Sequence, residues 1–214
     1  GTIDLVRALR QQVVAEQPNV WAAFPWNGSG DRTATKTITY VNTGDTPITL
    51  DLLADGEVLK LSSDQVTVPA GGEAAVTLTI DARDKAPGDY PGTITARTGA
   101  TVIRTPAGAY VEPESYDVTV TVVGRRGEPV NPREAEFYDA ETGAVHVPAF
   151  RDGTATVRLP EGDWNLYTIT SEKVDGAPTV TIADRPLKVD GADQRITVDN
   201  REGKPTKVTV DDPN

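Results

Sequence analysis

Apolar residues in this chain alternate with threonine and charged residues at a period of two. Over Ala74–Asp81, Val76, Leu78 and Ile80 fall on one face and Thr77 and Thr79 on the other, the pattern of a half-buried strand. The same reading predicts strands over Lys36–Val41, Ile48–Leu53, Gln65–Val68, Gly88–Arg97 and Thr101–Tyr110. Turn clusters at Asn42–Asp45, Asp55-Gly56 and Pro69–Gly72 separate them. Residues 1–14 are the exception: Ile3, Leu5, Val6, Leu9 and Val13 approximate one helical face, with Thr2 or Asp4 as its cap.

A second β series follows a linker at Val111–Ser115, where Pro113 cannot continue a central strand. Strands are predicted over Tyr116–Val123, Ala135–Tyr138, Val145–Phe150, Thr154–Leu159, Trp164–Thr170, Thr179–Ile182, Arg195–Asp199 and Lys207–Val210. Asp152-Gly153 is a preferred two-residue hairpin turn. Short strands between frequent Gly and Pro argue a sandwich rather than an α/β fold. The expected class is all-β. Two tandem sandwiches, over 17–112 and 113–214, follow a helix over 1–16 that ends a preceding domain.

Composition narrows the function. The 214 residues suit two domains. Cysteine is absent, which excludes disulfides, thiolate chemistry and Cys-based zinc sites. Gly1 stands where a start methionine would, so the chain is expected to be an internal piece. Acidic residues number 32 against 21 basic ones, a net charge of −11. That balance argues against nucleic acid, which calls for a basic face, and against an anionic membrane surface. No apolar run reaches the roughly 20 residues that span a bilayer.

Three stretches resemble known families. GTIDLVRAL, at residues 1–9, resembles the closing helix of subtilisin-like peptidase catalytic domains. Residues 32–110 resemble the immunoglobulin/fibronectin III-like sandwich that follows it in long secreted bacterial subtilases, through TYVNTGDTPITLDL, VTVPAGGEAAVTLTID and GDYPGTITA. Residues 116–170 resemble carboxypeptidase regulatory-like, or prealbumin-like, domains, through YDVTVTVVGRRGEPV, FYDAETGAV and DGTATVRLPEGDWNLYTI. ITVDNREGKPTKVTV is similar to the end of the same module. The order of the three implies modules C-terminal to a secreted bacterial serine peptidase. The family's Gly-Thr-Ser-Met-Ala nucleophile segment has no match here, so the resemblance brings no active site.

Candidate chemistry is sparse. His146, the single histidine, sits between Val145 and Val147 in a predicted strand, where a strand-edge role is the plainer reading. Ser29 lies in Gly28-Ser29-Gly30, a turn without the strand-to-helix context of a nucleophile elbow. Thirty-two acids make chance carboxylate pairs inevitable. Calcium is the one cofactor considered. Its candidate ligands are the loose carboxylates Asp81, Asp84 and Asp89 and the pair Asp211 and Asp212. Asp51–Gly56 departs from a calcium loop at Leu53. Asn27–Ser29 matches a glycosylation sequon but marks a turn in a bacterial setting. Tyr116–Val123 has no lysine for a Lys–Asn isopeptide bond.

Trp21, Phe24 and Trp26 form the aromatic cluster VWAAFPW. Such rings stack on sugars or anchor a protein partner; the plainer reading is a domain junction or a first strand. Trp164 reads as core. The expectation is therefore a non-enzymatic, secreted, monomeric accessory region that stabilises or positions a peptidase catalytic domain in cis. A polysaccharide- or protein-binding module and a structural spacer are the alternatives.

Overall fold

The computed structural model describes residues 11–26 and 30–206. Most of the expected leading helix, the Asn27–Ser29 sequon, the strand at Lys207–Val210 and the carboxylates of Asp211 and Asp212 lie outside them. The chain divides into two compact units at Pro113/Glu114.

Among the described residues the first unit has nine strands: β1 (Val13–Ala15), β2 (Val20–Phe24), β3 (Thr33–Asn42), β4 (Ile48–Asp55), β5 (Leu59–Leu61), β6 (Gln65–Val68), β7 (Glu73–Asp81), β8 (Gly88–Thr98) and β9 (Thr101–Val111). One sheet runs β1-β3-β7-β5 and the other β2-β9-β8-β4-β6. This is an immunoglobulin-like order, in which first and last strands of the motif belong to opposite sheets. Every pairing is antiparallel except β2 with β9, which run parallel with Trp21 opposite Gly108. Alternation sends one face of each strand inward. Ile38, Tyr40, Leu50, Leu78, Ile80 and Ile94 are fully buried between the sheets.

Where the helix was expected to extend to residue 16, the chain is already a strand. Val13 is buried, and Val13–Ala15 pair with Asn42–Tyr40. Consecutive β-branched residues favour a pleated backbone, and a core position for Val13 outweighs its spacing from the apolar residues upstream.

Among the described residues the second unit has seven strands: β10 (Ser115–Val123), β11 (Glu134–Tyr138), β12 (Val145–His146), β13 (Thr154–Pro160), β14 (Gly162–Val174), β15 (Ala177–Val189) and β16 (Gln194–Asp199). They form the sheets β13-β10-β16 and β12-β11-β14-β15. Here β10 and β16 run parallel. The core gathers Val118, Val120, Val122, Phe137, Leu159, Trp164 and Leu166. Trp164 is core, as its position implies, and its Nε1 donates to the Pro160 carbonyl at 2.9 Å.

Two details differ from expectation. The strand over Val145–Phe150 stops at His146, because Pro148 has no donor for a ladder and Val147 turns out to solvent at 75% exposure. The hairpin over Trp164–Thr170 and Thr179–Ile182 is far longer than either segment. Asp175 and Gly176 both adopt positive φ, at 51° and 83°, as a two-residue type I′ turn requires. That turn carries β14 straight into β15.

Candidate functional site

The strand β2 takes the aromatic cluster apart. Its alternation buries Val20, Ala22 and Phe24 and turns Trp21 to the outer face, 40% exposed. A side chain at Gly108 would meet Trp21 Cζ3 at 2.4 Å, so the indole lies over bare backbone that only glycine leaves open. Trp26 follows the strand, half-buried, with its backbone N–H donating to Glu112 at 2.5 Å. The three rings therefore do not share one face. Trp21 and Phe24 lie in β2, the second strand of the unit after β1, and Trp26 lies just beyond its end.

His146 stands edge-on to Trp164, ring centroids 5.2 Å apart at 77°. This packing accounts for the residue without a nucleophile. Among the calcium candidates, Asp81 is bound by a cation. Arg83 binds Asp81 through a 2.5 Å contact and holds its carboxyl down at about 2. Lys85 bonds Glu57 at 2.6 Å and lowers its pKa. Asp81, Asp84, Glu57 and Lys85 line one shallow cleft; Asp89 does not. Asp51 lies in β4 and accepts from Gln65 Nε2 at 2.7 Å. Among the described residues no group of three or more acids or histidines could hold a metal ion.

The second unit carries a buried polar cluster. Asn200, just past β16 and 2% exposed, donates through Nδ2 to Thr170 Oγ1 at 2.7 Å and to Glu172 at 3.2 Å. Glu172 in turn accepts the Arg125 backbone N–H at 3.1 Å. A Cβ at Gly124 would strike Glu172 Oε1 at 2.4 Å, so glycine there lets the carboxylate reach the loop after β10. The Arg125 guanidinium bonds Thr181 and the Gly203 carbonyl. The cluster pins loop and chain end to β14 and β15; its cation is an arginine rather than the amine an isopeptide bond uses.

The cleft that sequence reasoning passed over lies elsewhere in the same unit. It encloses about 420 Å³. Its walls are the stretch Asn131–Glu136, the chain at Val147, Pro148 and Phe150, and Tyr167 of β14. Register sets Glu136 beside Tyr167 on the outer face. The sequence signal was Tyr167, at an odd position of a strand whose even positions, Trp164, Leu166 and Thr168, are buried. Two aromatic surfaces with Arg133, Glu134 and Glu136 at the rim can stack on and hydrogen-bond a flat polar ligand. The lining supplies the oxygen atoms of Glu134, Glu136 and Tyr167 but no Ser, Thr, Cys, Lys or His.

No protein-family model matches the chain, and no curated protein matches it. Solved structures resemble it at low identity. An MSP-domain protein of Caenorhabditis elegans, SSP-19, is 16% identical over 45% of this chain and 98% of its own, with a TM-score of 0.35. A PapD-like domain of human CEP192 is 16% identical over 48% of this chain and 87% of its own, at 0.36. The periplasmic chaperone SfaE is 13% identical over 87% of this chain and 100% of its own, at 0.35. None ties the chain to a peptidase, and the immunoglobulin-like order rests on the strands themselves.

Proposed function

We propose that the chain is a non-catalytic accessory region of a secreted, extracellular subtilisin-like serine peptidase. An immunoglobulin/fibronectin III-like module and a prealbumin-like module stabilise or position the catalytic domain in cis. The observation that supports this reading is the anchoring of the incoming chain. Within a few residues of Gln11 it gives β1 to one sheet and β2 to the other. Val13, Val20, Ala22 and Phe24 are all buried there. A segment fixed in both sheets gives whatever precedes it a firm base, and folding of the base stabilises a domain that binds only its folded form.

The test compares the parent polypeptide with and without residues 11–214, a cut that keeps β1 with its sandwich. Deletion is expected to lower the melting temperature of the fluorophosphonate-labelled peptidase and to slow cleavage of large substrates. Equal stability and equal cleavage overturn the reading. The second reading, a module that binds polysaccharide or protein, draws support from the cleft with Tyr167 and Phe150. It requires retention on insoluble polysaccharide that Tyr167→Ala abolishes.

A further inference from the structure

The sheet β12-β11-β14-β15 ends on a strand 13 residues long, and β15 has no neighbour beyond β14 among the described residues. Val174 and Ala177 close the Asp175-Gly176 turn. The closing pair of a two-residue loop exchanges both of its hydrogen bonds, and bonded and non-bonded pairs then alternate. Odd-numbered residues of β15 therefore bond to β14. Even-numbered residues aim N–H and C=O at the open edge.

Two of those even positions are Pro178 and Pro186, which have no N–H. Between them Val180, Ile182 and Asp184 offer three donors and three carbonyls. No hydrogen bond among the described residues takes up these groups on that side. Further along, the edge is closed at Lys188, whose O accepts from Gln194 Nε2 at 2.7 Å. The open window also has an apolar outer face. Val180 is 60% and Ile182 61% exposed, and Ile182 stands directly opposite Ile169 of β14.

The window is symmetric about its own middle, since Pro178 and Pro186 each lie four residues from Ile182. We propose that β15 pairs antiparallel with β15 of a second copy of this chain, about a two-fold axis at Ile182. Ile182 then exchanges both backbone bonds with the partner's Ile182, and Val180 and Asp184 exchange theirs with the partner's Asp184 and Val180. The donorless prolines face each other at the two ends. Ile169, Ile182, the partner's Ile182 and the partner's Ile169 form one apolar row across the seam, and the two four-stranded sheets become one. A closed two-fold contact of this kind consumes the edge on both copies and stops at a dimer. This departs from the monomer expected from sequence. Each copy carries a net charge of −11, so added salt screens the repulsion and tightens the pair.

Sedimentation equilibrium of the full chain, from micromolar to millimolar, tests it. The mass is expected to approach twice that of the monomer, at lower concentration in high salt. Val180→Pro removes only a donor that faces away from β14, and Ile182→Lys places two like charges at the axis. Both variants are expected to stay monomeric at every concentration, and to keep the wild-type circular dichroism melting curve at dilutions where the wild-type chain is itself monomeric. Amide exchange at Val180, Ile182 and Asp184 is expected to slow with rising concentration. A wild-type chain that is monomeric throughout, in low and high salt, overturns the proposal. So does a dimer that survives both substitutions. A monomer that dimerises only when cut after Thr206 also overturns it, by assigning the edge to the chain's own Lys207–Val210.

Discussion

The two units hold themselves together differently. Among the described residues the first buries twenty apolar side chains in one cluster, and its edge strands β1, β2, β5 and β6 have only three, five, three and four residues. The second buries nine in its cluster, buries five polar residues (Ser115, Thr168, Thr170, Thr181 and Asn200) against the first unit's three (Asn42, Thr95 and Thr105), and has the long edge of β15. Apolar burial contributes about 25 cal/mol for each Å² removed from water, whereas a satisfied hydrogen bond nets only about 1 kcal/mol. The second unit therefore depends more on geometry and on each of its few large side chains. It is expected to be the weaker of the two.

The largest test of that contrast is Phe137→Ala. Phe137 is fully buried in the smaller cluster, and its loss is expected to cost about 3–5 kcal/mol. Denaturant unfolding followed through Trp164 should shift to lower concentration while the transition of the first unit stays in place. A single shifted transition for both would show that the units do not unfold separately.

A smaller effect separates two buried polar atoms that have no hydrogen-bond partner among the described residues, Tyr40 Oη and Asn200 Oδ1. Burial pushes the Tyr40 hydroxyl up to about 12 from an ordinary 10. A group raised in the folded state contributes stability that is complete below pH 10 and fades as pH climbs towards 12, roughly 2–3 kcal/mol in all. Tyr40→Phe should abolish this alkaline loss in melts between pH 9 and pH 12 without weakening the protein at neutral pH. Asn200→Ala should instead destabilise at neutral pH by about 1–3 kcal/mol, since it removes the donor to buried Thr170 Oγ1 and one of the donors to Glu172.

The smallest effect should not distinguish the units at all. Hydrogen bonds from Arg83 hold Asp81 at about 2, and hydrogen bonds from Arg201 hold Asp199 at about 2. The contribution of each is present above the ordinary carboxylate value of 3.8 and is lost as pH falls towards 2. Both pairs are solvent-exposed and so contribute little. Asp81→Asn and Asp199→Asn are expected to change acid melts slightly and equally.

Much of the β pattern was legible because half-buried strands announce themselves by alternation. Gln65–Val68 coincides with its strand, and Ala74–Asp81 misses one residue of β7. What alternation cannot report is a strand too short to alternate, as in Val13–Ala15 and Leu59–Leu61. The β14–β15 hairpin was underestimated for another reason. Ser171–Val174 and Ala177–Pro178 look like loop by composition, yet an Asp-Gly turn between them fixes their pairing. The aromatic cluster was visible as residues but not as faces, because Trp21 and Phe24 are separated only once Val20–Phe24 is a strand, whose alternation sends them to opposite sides. The cleft was invisible, since it joins Asn131–Glu136 to Val147 and Tyr167 across distances in sequence that no local pattern spans.

The parallel pairings have a mechanical consequence. In the first unit β2 near the chain's entry lies alongside β9 at its exit, and in the second β10 lies alongside β16 in the same way. Pulling the two ends of either unit apart drags these neighbours in opposite directions along their length. The hydrogen bonds between them are then loaded together in shear and must break together, where a hairpin pulled open from its end would lose them one at a time. Each unit is thus built to carry tension along the chain.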